Sequence, residues 1–338
     1  MKLPAIASLF LVIAACPRSE APPREAAHKA THALPSAAPG KGDKECFPAP
    51  DAAEPSQELT LGARHATLAG GRLAFAATPP RHRVALGLVS ELRSASDGNL
   101  AAFRALAGKL VQAGASGIVV LGDSGDTADE IAAALGAFAG AGVPVYANPG
   151  AREDRDEWDA ALATLQKRAP NVFDLRRVRV VDEDGVRLVS LPGHFDRRYV
   201  REGACQYLRA ELDDVKRLAA GATEPVLLVS HGPPHQDAPG ALDWTEDDHH
   251  GDAALAALLA SAKIPFGAFG FIAEAGGRGT DLGGVFVPPG AVRDSLYVNP
   301  GPADVTPWPM NGGGTGGGQA ALIVIDGGKA RYELVHAP

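Results

Sequence analysis

Cysteine is scarce. The chain has three in 338 residues, at positions 16, 46 and 205, and no pair is spaced as C-x-x-C. That spacing excludes a cysteine-ligated metal site of the usual kind. Cys46 and Cys205 could pair in an oxidising compartment, and sequence alone leaves a disulfide and two free thiols both open. Cys205 has no recognisable partner pattern, which argues against a thiol nucleophile. A dense Lys/Arg cluster is also lacking, and the net charge is −8, so nucleic acid and an anionic membrane surface are poor partners. Beyond residue 15 no apolar run approaches the roughly 20 residues that cross a bilayer. There is no G-x-S-x-G elbow, no P-loop and no solenoid repeat. Gly312 to Gly318 reads as a flexible loop and not a phosphate-binding fingerprint, because no helix follows it. What remains, 46% hydrophobic and 21% charged residues, is a globular composition with room for one large domain and a tail.

The tail begins with Lys2 and an apolar run from Leu3 to Ala15, which ends Ile13-Ala14-Ala15-Cys16. Its length suits a signal-peptide core. The ending resembles a bacterial lipobox, which implies cleavage after residue 15 and acylation of Cys16. The alternative is an ordinary signal peptide followed by a chance cysteine. On this reading residues 1–15 are a lipoprotein signal peptide and 16–57 a disordered Pro/Ala-rich linker. The chain is then a membrane-anchored lipoprotein of the cell envelope, outside the cytoplasm. Pro17 in place of an Asp leans toward the outer membrane over the periplasmic face of the inner one.

Residues 58–82 read as a short β-hairpin lead-in around Gly70-Gly71, and 83–338 as the folded domain. Val84–Val89 is a strand. Leu100, Phe103, Leu106 and Leu110 then recur at helical spacing. Ile118–Leu121 and Val143–Ala147 are strands separated by a helix that Thr127 and Glu130 open as a capping box. Trp158, Leu162 and Leu165 mark a third helix, and Asp184-Gly185 a hairpin. Glu211–Ala220 and Ala253–Ala262 are helical, Val226–Val229 and Phe266–Phe269 strands, and the C-terminal stretch is all strand-like. The class is α/β: two packed mixed β-sheets flanked by helices.

Function in such sheets gathers at the carboxyl ends of strands. Those ends read Glu91-Leu92-Arg93, Gly122-Asp123-Ser124-Gly125-Asp126, Gly150-Ala151-Arg152-Glu153, Ser230-His231-Gly232-Pro233-Pro234 and Gly270-Phe271-Ile272-Ala273. In order and spacing they resemble the calcineurin-like metallophosphoesterases, whose pattern is D-x-H, G-D-x-x-D, G-N-H-D/E, a lone His, then G-H-x-H. The resemblance covers about Val84 to Gly301. It implies a four-layer αββα sandwich and a two-metal site of Mn, Fe, Zn or Ni. Three ligand positions survive in this chain: Glu91, Asp123 and His231, with Asp126 beside them. The others are replaced, by Arg93, Ala151, Arg152, Phe271 and Ala273. Too few ligands remain for two ions, and two guanidiniums stand where metal-facing groups belong.

Arg93 is therefore expected to pair with Asp123 or Glu91 in place of a metal, with surface placement of both arginines and anion binding as alternatives. A relocated site could instead draw on His194, Asp196, His235, Asp247, Asp248, His249 and His250. The expectation is an inactive, ligand-binding or scaffolding domain without a cofactor. Its partner would be a protein or a phosphorylated small molecule. The alternative is an atypical metal-dependent phosphate ester hydrolase.

Overall fold

The structure is a computed structural model, and it describes residues 46–48, 56–76, 82–245 and 248–338. The signal peptide, Cys16, Pro17, nearly all of the linker and Asp247 lie outside these residues. In chain order the strands begin with β1 (Gln57–Leu61), β2 (Arg64–Ala69), β3 (Arg72–Phe75) and β4 (Arg83–Val89). Helix α1 (Asp97–Gln112) follows, then β5 (Gly117–Val120), α2 (Ala128–Ala139), β6 (Val145–Ala147), α3 (Arg155–Leu165) and β7 (Val172–Asp174). The second half holds β8 (Val180–Glu183), β9 (Val186–Leu191), α4 (Arg209–Ala219), β10 (Val226–Ser230), β11 (Trp244–Thr245), β12 (Asp248–His249) and α5 (Ala253–Ser261). It closes with β13 (Phe266–Ala268), β14 (Arg278–Thr280), β15 (Phe286–Val287), β16 (Leu296–Asn299), β17 (Trp308–Pro309), β18 (Thr315–Gly316), β19 (Gln319–Asp326) and β20 (Lys329–His336).

Two sheets carry the fold. The six-stranded sheet runs β20-β19-β4-β5-β6-β7, with β4 to β7 parallel. The ten-stranded sheet runs β1-β2-β3-β8-β9-β10-β13-β16-β14-β15, with β9, β10, β13 and β16 parallel. Side chains alternate across each strand and so define the layers. In β5, Ile118 and Val120 join the core under α1, α2 and α3, while Val119 joins the core between the sheets. In β10, Leu227 and Val229 point to that inter-sheet core and Leu228 to the one under α4 and α5. The result is a four-layer αββα sandwich, as the periodicity requires.

Three departures from the sequence reading matter. The lead-in forms the expected hairpin, β2 turning into β3 at Gly70-Gly71, but β3 also pairs in parallel with β8, so β1 to β3 extend the large sheet. The Gly312–Gly318 stretch contains β18, which pairs with β17. At the start of α2, Thr127 caps the Glu130 amide, but the Glu130 carboxylate accepts from Asp126 N at 3.0 Å, one residue earlier than a capping box would have it. Cys46 and Cys205 are joined by a disulfide, which holds residues 46–48 against the loop that carries His194. Among the described residues no helix is long and apolar enough to cross a membrane.

The carboxyl ends of β4, β5 and β6 meet those of β10 and β13. Ser90 forms a parallel bridge to Pro302 and donates to Gly301 O, while Gly270 N donates to His231 O at 2.9 Å. Glycine is required at this seam. A Cβ on Gly150 would lie 2.8 Å from Asp123 Oδ1 and 2.9 Å from His231 Cε1, and one on Gly122 would meet Gly150 at 2.6 Å.

Candidate functional site

The strand-end residues Glu91, Arg93, Asp123 and Phe271 all have left-handed backbones, with φ of 51°, 61°, 57° and 64°. Among the described residues only one other non-glycine, Lys263, does so. Such conformations cost of order 1 kcal/mol or more each and persist where surrounding structure imposes them. The donation from Arg93 N to Asp123 O at 2.7 Å is one such restraint, locking the first strand end to the second.

Glu91, Asp123 and His231 converge. All three are buried, and one ligand atom from each lies within 4.8 Å of the others. His231 Nδ1 sits 2.7 Å from Leu121 O, which can only accept, so Nδ1 carries a proton and Nε2 is left for another partner. Nε2 lies 3.3 Å from Asp123 Oδ1 without a hydrogen bond between them. Glu91 Oε1, Asp123 Oδ1 and His231 Nε2 are all buried and have no hydrogen-bond partner among the described residues. Three such atoms facing one another could ligate a single cation.

The charges tell the same story. Burial pushes the Asp123 carboxyl up to about 6, Glu91 adds to the rise, and His231, Arg152 and Arg93 pull against it. Burial works to lower the His231 imidazole, but Asp123, Glu91 and Glu153 outweigh it and raise its pKa. Glu153 is raised, first by burial and then by Asp123. Its two oxygens accept from Ser124 N at 2.6 Å and Gly150 N at 2.8 Å, so it ties the second strand end to the third.

The neighbouring strand-end side chains are equally definite. Arg93 grips Glu91 Oε2 through Nε at 3.1 Å and Nη2 at 2.8 Å, with its guanidinium 3.9 Å over the Trp308 ring. Arg93 therefore takes Glu91, the second of the two expected carboxylates. Arg152 takes neither: it donates to Asp126 at 2.7 Å, and Arg201 pairs with the same oxygen. Asp126 is half-exposed and carries both guanidiniums, while Arg152 stays within electrostatic reach of Asp123. Phe271 fills the space beside His231 with ring centroids 5.4 Å apart, and Ala151 and Ala273 are buried without a donor side chain.

The rival ligands separate. His194 is fully buried under Phe271, centroids 4.2 Å apart, and burial, then His231, push it down to about 3. Its Nδ1 accepts from Asp196 N, so Nε2 holds a proton and no lone pair for a metal. Asp196 pairs with Arg198, and His250 hydrogen-bonds the Tyr199 hydroxyl. Asp248 accepts only from the His249 amide among the bonds described. His235 and His249 do meet, around Asp243, a residue the sequence reading passed over. No local pattern marks Asp243, because the β11–β12 hairpin brings His249 back to it.

No family model and no curated protein matches the sequence. Among solved structures, one is covered along 100% of its chain by 76% of this one, at 13% identity and a TM-score of 0.52. A protein of Thermus thermophilus aligns at 14% identity over 75% of this chain and 98% of its own, with a TM-score of 0.49. A dimetal phosphatase from Danio rerio aligns at 12% identity over 75% and 99%, with a TM-score of 0.47. At such identities the likeness is one of fold alone, and the first of these structures shares the layered arrangement of mixed sheets flanked by helices. Its strand-end cleft holds residues able to ligate a metal.

Proposed function

We propose that the chain is a lipoprotein tethered through Cys16, facing the periplasm or outer membrane, whose phosphoesterase-like domain binds or scaffolds without performing two-metal hydrolysis. The observation that supports this is the Arg93 clamp on Glu91, beside Phe271, Ala273 and Ala151 at the other ligand positions. A two-ion centre needs more donors than Glu91, Asp123 and His231 supply, and a fixed guanidinium repels a second ion. Two ions therefore do not fit. One does, because the three orphaned atoms match its needs. Such an ion, Mn, Fe, Zn or Ni by its mixed donors, would polarise a phosphoryl oxygen and acidify a bound water. Leu121 O would orient the His231 ring toward it, and Glu153 would hold the Asp123 and Gly150 loops together. That fit favours a second reading, a phosphate ester hydrolase working with one ion on Glu91, Asp123 and His231.

Metal analysis of chain purified without chelator, alongside hydrolysis of a generic phosphate ester with added Mn, separates the two. The binding role predicts no more than one ion in the cleft and no turnover above buffer. Turnover abolished by Asp123→Ala would establish the hydrolase instead. Incorporation of labelled palmitate, lost in Cys16→Ser, tests the anchor.

A further inference from the structure

Beside the cleft lies a second cluster. Asp243, just before β11, is fully buried, and its ion-pair partners among the described residues are two imidazoles, with no Lys or Arg. His249 Nδ1 is 3.0 Å from Oδ1 and His235 Nδ1 is 3.2 Å from Oδ2. The two rings are 5.0 Å apart and inclined at 75°. Gln236 N at 3.2 Å and Gly251 N at 3.3 Å also donate to Asp243 Oδ2, and these dipoles with the two imidazoles stabilise a buried charge that a cation would neutralise further. The imidazole distances are those of hydrogen bonds, and they also suit a metal: with bonds of about 2.0–2.1 Å in tetrahedral geometry, neighbouring ligand atoms sit about 3.3 Å apart. His235 Nε2 faces Asp237 Oδ1 at 3.3 Å, the carboxylate–histidine arrangement that orients a ligating ring. Both imidazoles are partly exposed, which gives an ion a route in and leaves positions open to water.

We propose that His235, Asp243 and His249 form a transition-metal site distinct from the cleft, with a two-imidazole, one-carboxylate donor set suited to Zn(II). Soft thiolates are absent from this set, and hard all-oxygen coordination is too, which disfavours Cu(I) on one side and Mg or Ca on the other. Binding displaces the Nδ1 protons of both rings to solvent. The ion clips the β11–β12 hairpin to the loop after β10, where His235 N already donates to Asp252 O at 3.1 Å. From there His250 holds Tyr199 at 2.8 Å, and Tyr199 packs edge-on against Phe271 beside His231, so the clip steadies one wall of the cleft.

The test is Zn(II) titration of untagged, chelator-stripped chain, with X-ray absorption of the zinc-loaded form counting imidazole ligands. Asp123→Asn should keep one zinc with two imidazoles. His249→Gln, on a partly exposed hairpin, should raise the Kd of that zinc at least about 100-fold. An ion in the cleft has a single imidazole and leaves with Asp123→Asn, so failure of that reading is separately visible. The proposal is overturned if Asp123→Asn binds no zinc, if its zinc has fewer than two imidazoles, or if His249→Gln binds it unchanged. The imidazole count on wild-type chain needs no variant to fold.

Discussion

Replacing Asp123 by Asn should stabilise the metal-free protein at alkaline pH, although it deletes a residue at the centre of the cleft. The folded carboxyl titrates near 6, against an ordinary 3.8, because burial and Glu91 oppose its charge. A raised carboxyl pKa means that its neutral form fits the fold better. The associated stability is fully present below about pH 4 and lost as pH rises through 6. A displacement of about two units corresponds to about 3 kcal/mol. Asn keeps the shape and the neutral state, but it also removes the main charge that raises His231, so the net gain is smaller, about 1–3 kcal/mol. For a chain of this size that is a rise in Tm of about 2–6 °C at pH 8. Urea and thermal unfolding in excess chelator, at pH 8 and again near pH 4, measure it. The variant should exceed wild type at pH 8 and converge with it near pH 4. A variant less stable than wild type at pH 8 would refute the account, because Asp123 would then be held by a partner and not strained by its surroundings.

Three further outcomes follow from the same geometry. Affinity of the cleft for Mn(II) should climb as pH rises through about 6, because Asp123 must lose its proton and His231 must be neutral to bind; calorimetry across pH 5–8 reads this. Arg93→Ala should destabilise by about 1–3 kcal/mol, through the lost pair with buried Glu91 and the Trp308 stack, yet tighten metal binding because Glu91 is released. Cys46→Ser with Cys205→Ser opens a link between residues 159 apart and should lower stability by about 2–5 kcal/mol in denaturant melts.

Much of the fold can be read from residue patterns because its elements are amphipathic at their own periods. Phe103, Leu106 and Leu110 fall on one buried face of α1, and Asp184-Gly185 turns β8 into β9. β7 and β14 are three-residue strands whose identity comes from their neighbours, and no short window shows that. The cleft was legible where a residue sits at a strand end: Glu91, Asp123 and His231 do meet. Side-chain partners were not legible. Arg152 lies within electrostatic reach of Asp123, yet its ion pair is with Asp126, which Arg201 shares, a choice set by tertiary distance. Asp243 escaped notice because the eye goes to the His/Asp run at 247–250, while the ligand geometry depends on a hairpin closing over a residue before it. Glu153 was visible as a carboxylate, but its work, two backbone amides from different loops, is spatial.

The left-handed turns at Glu91, Arg93, Asp123 and Phe271 have a practical meaning for protein engineers. Backbone shapes that loops seldom adopt unaided already fix the direction of the side chains beside Glu91, Asp123 and His231. Arg93→His and Phe271→His would set new donor side chains on two of these turns, next to the three acidic and imidazole groups already there.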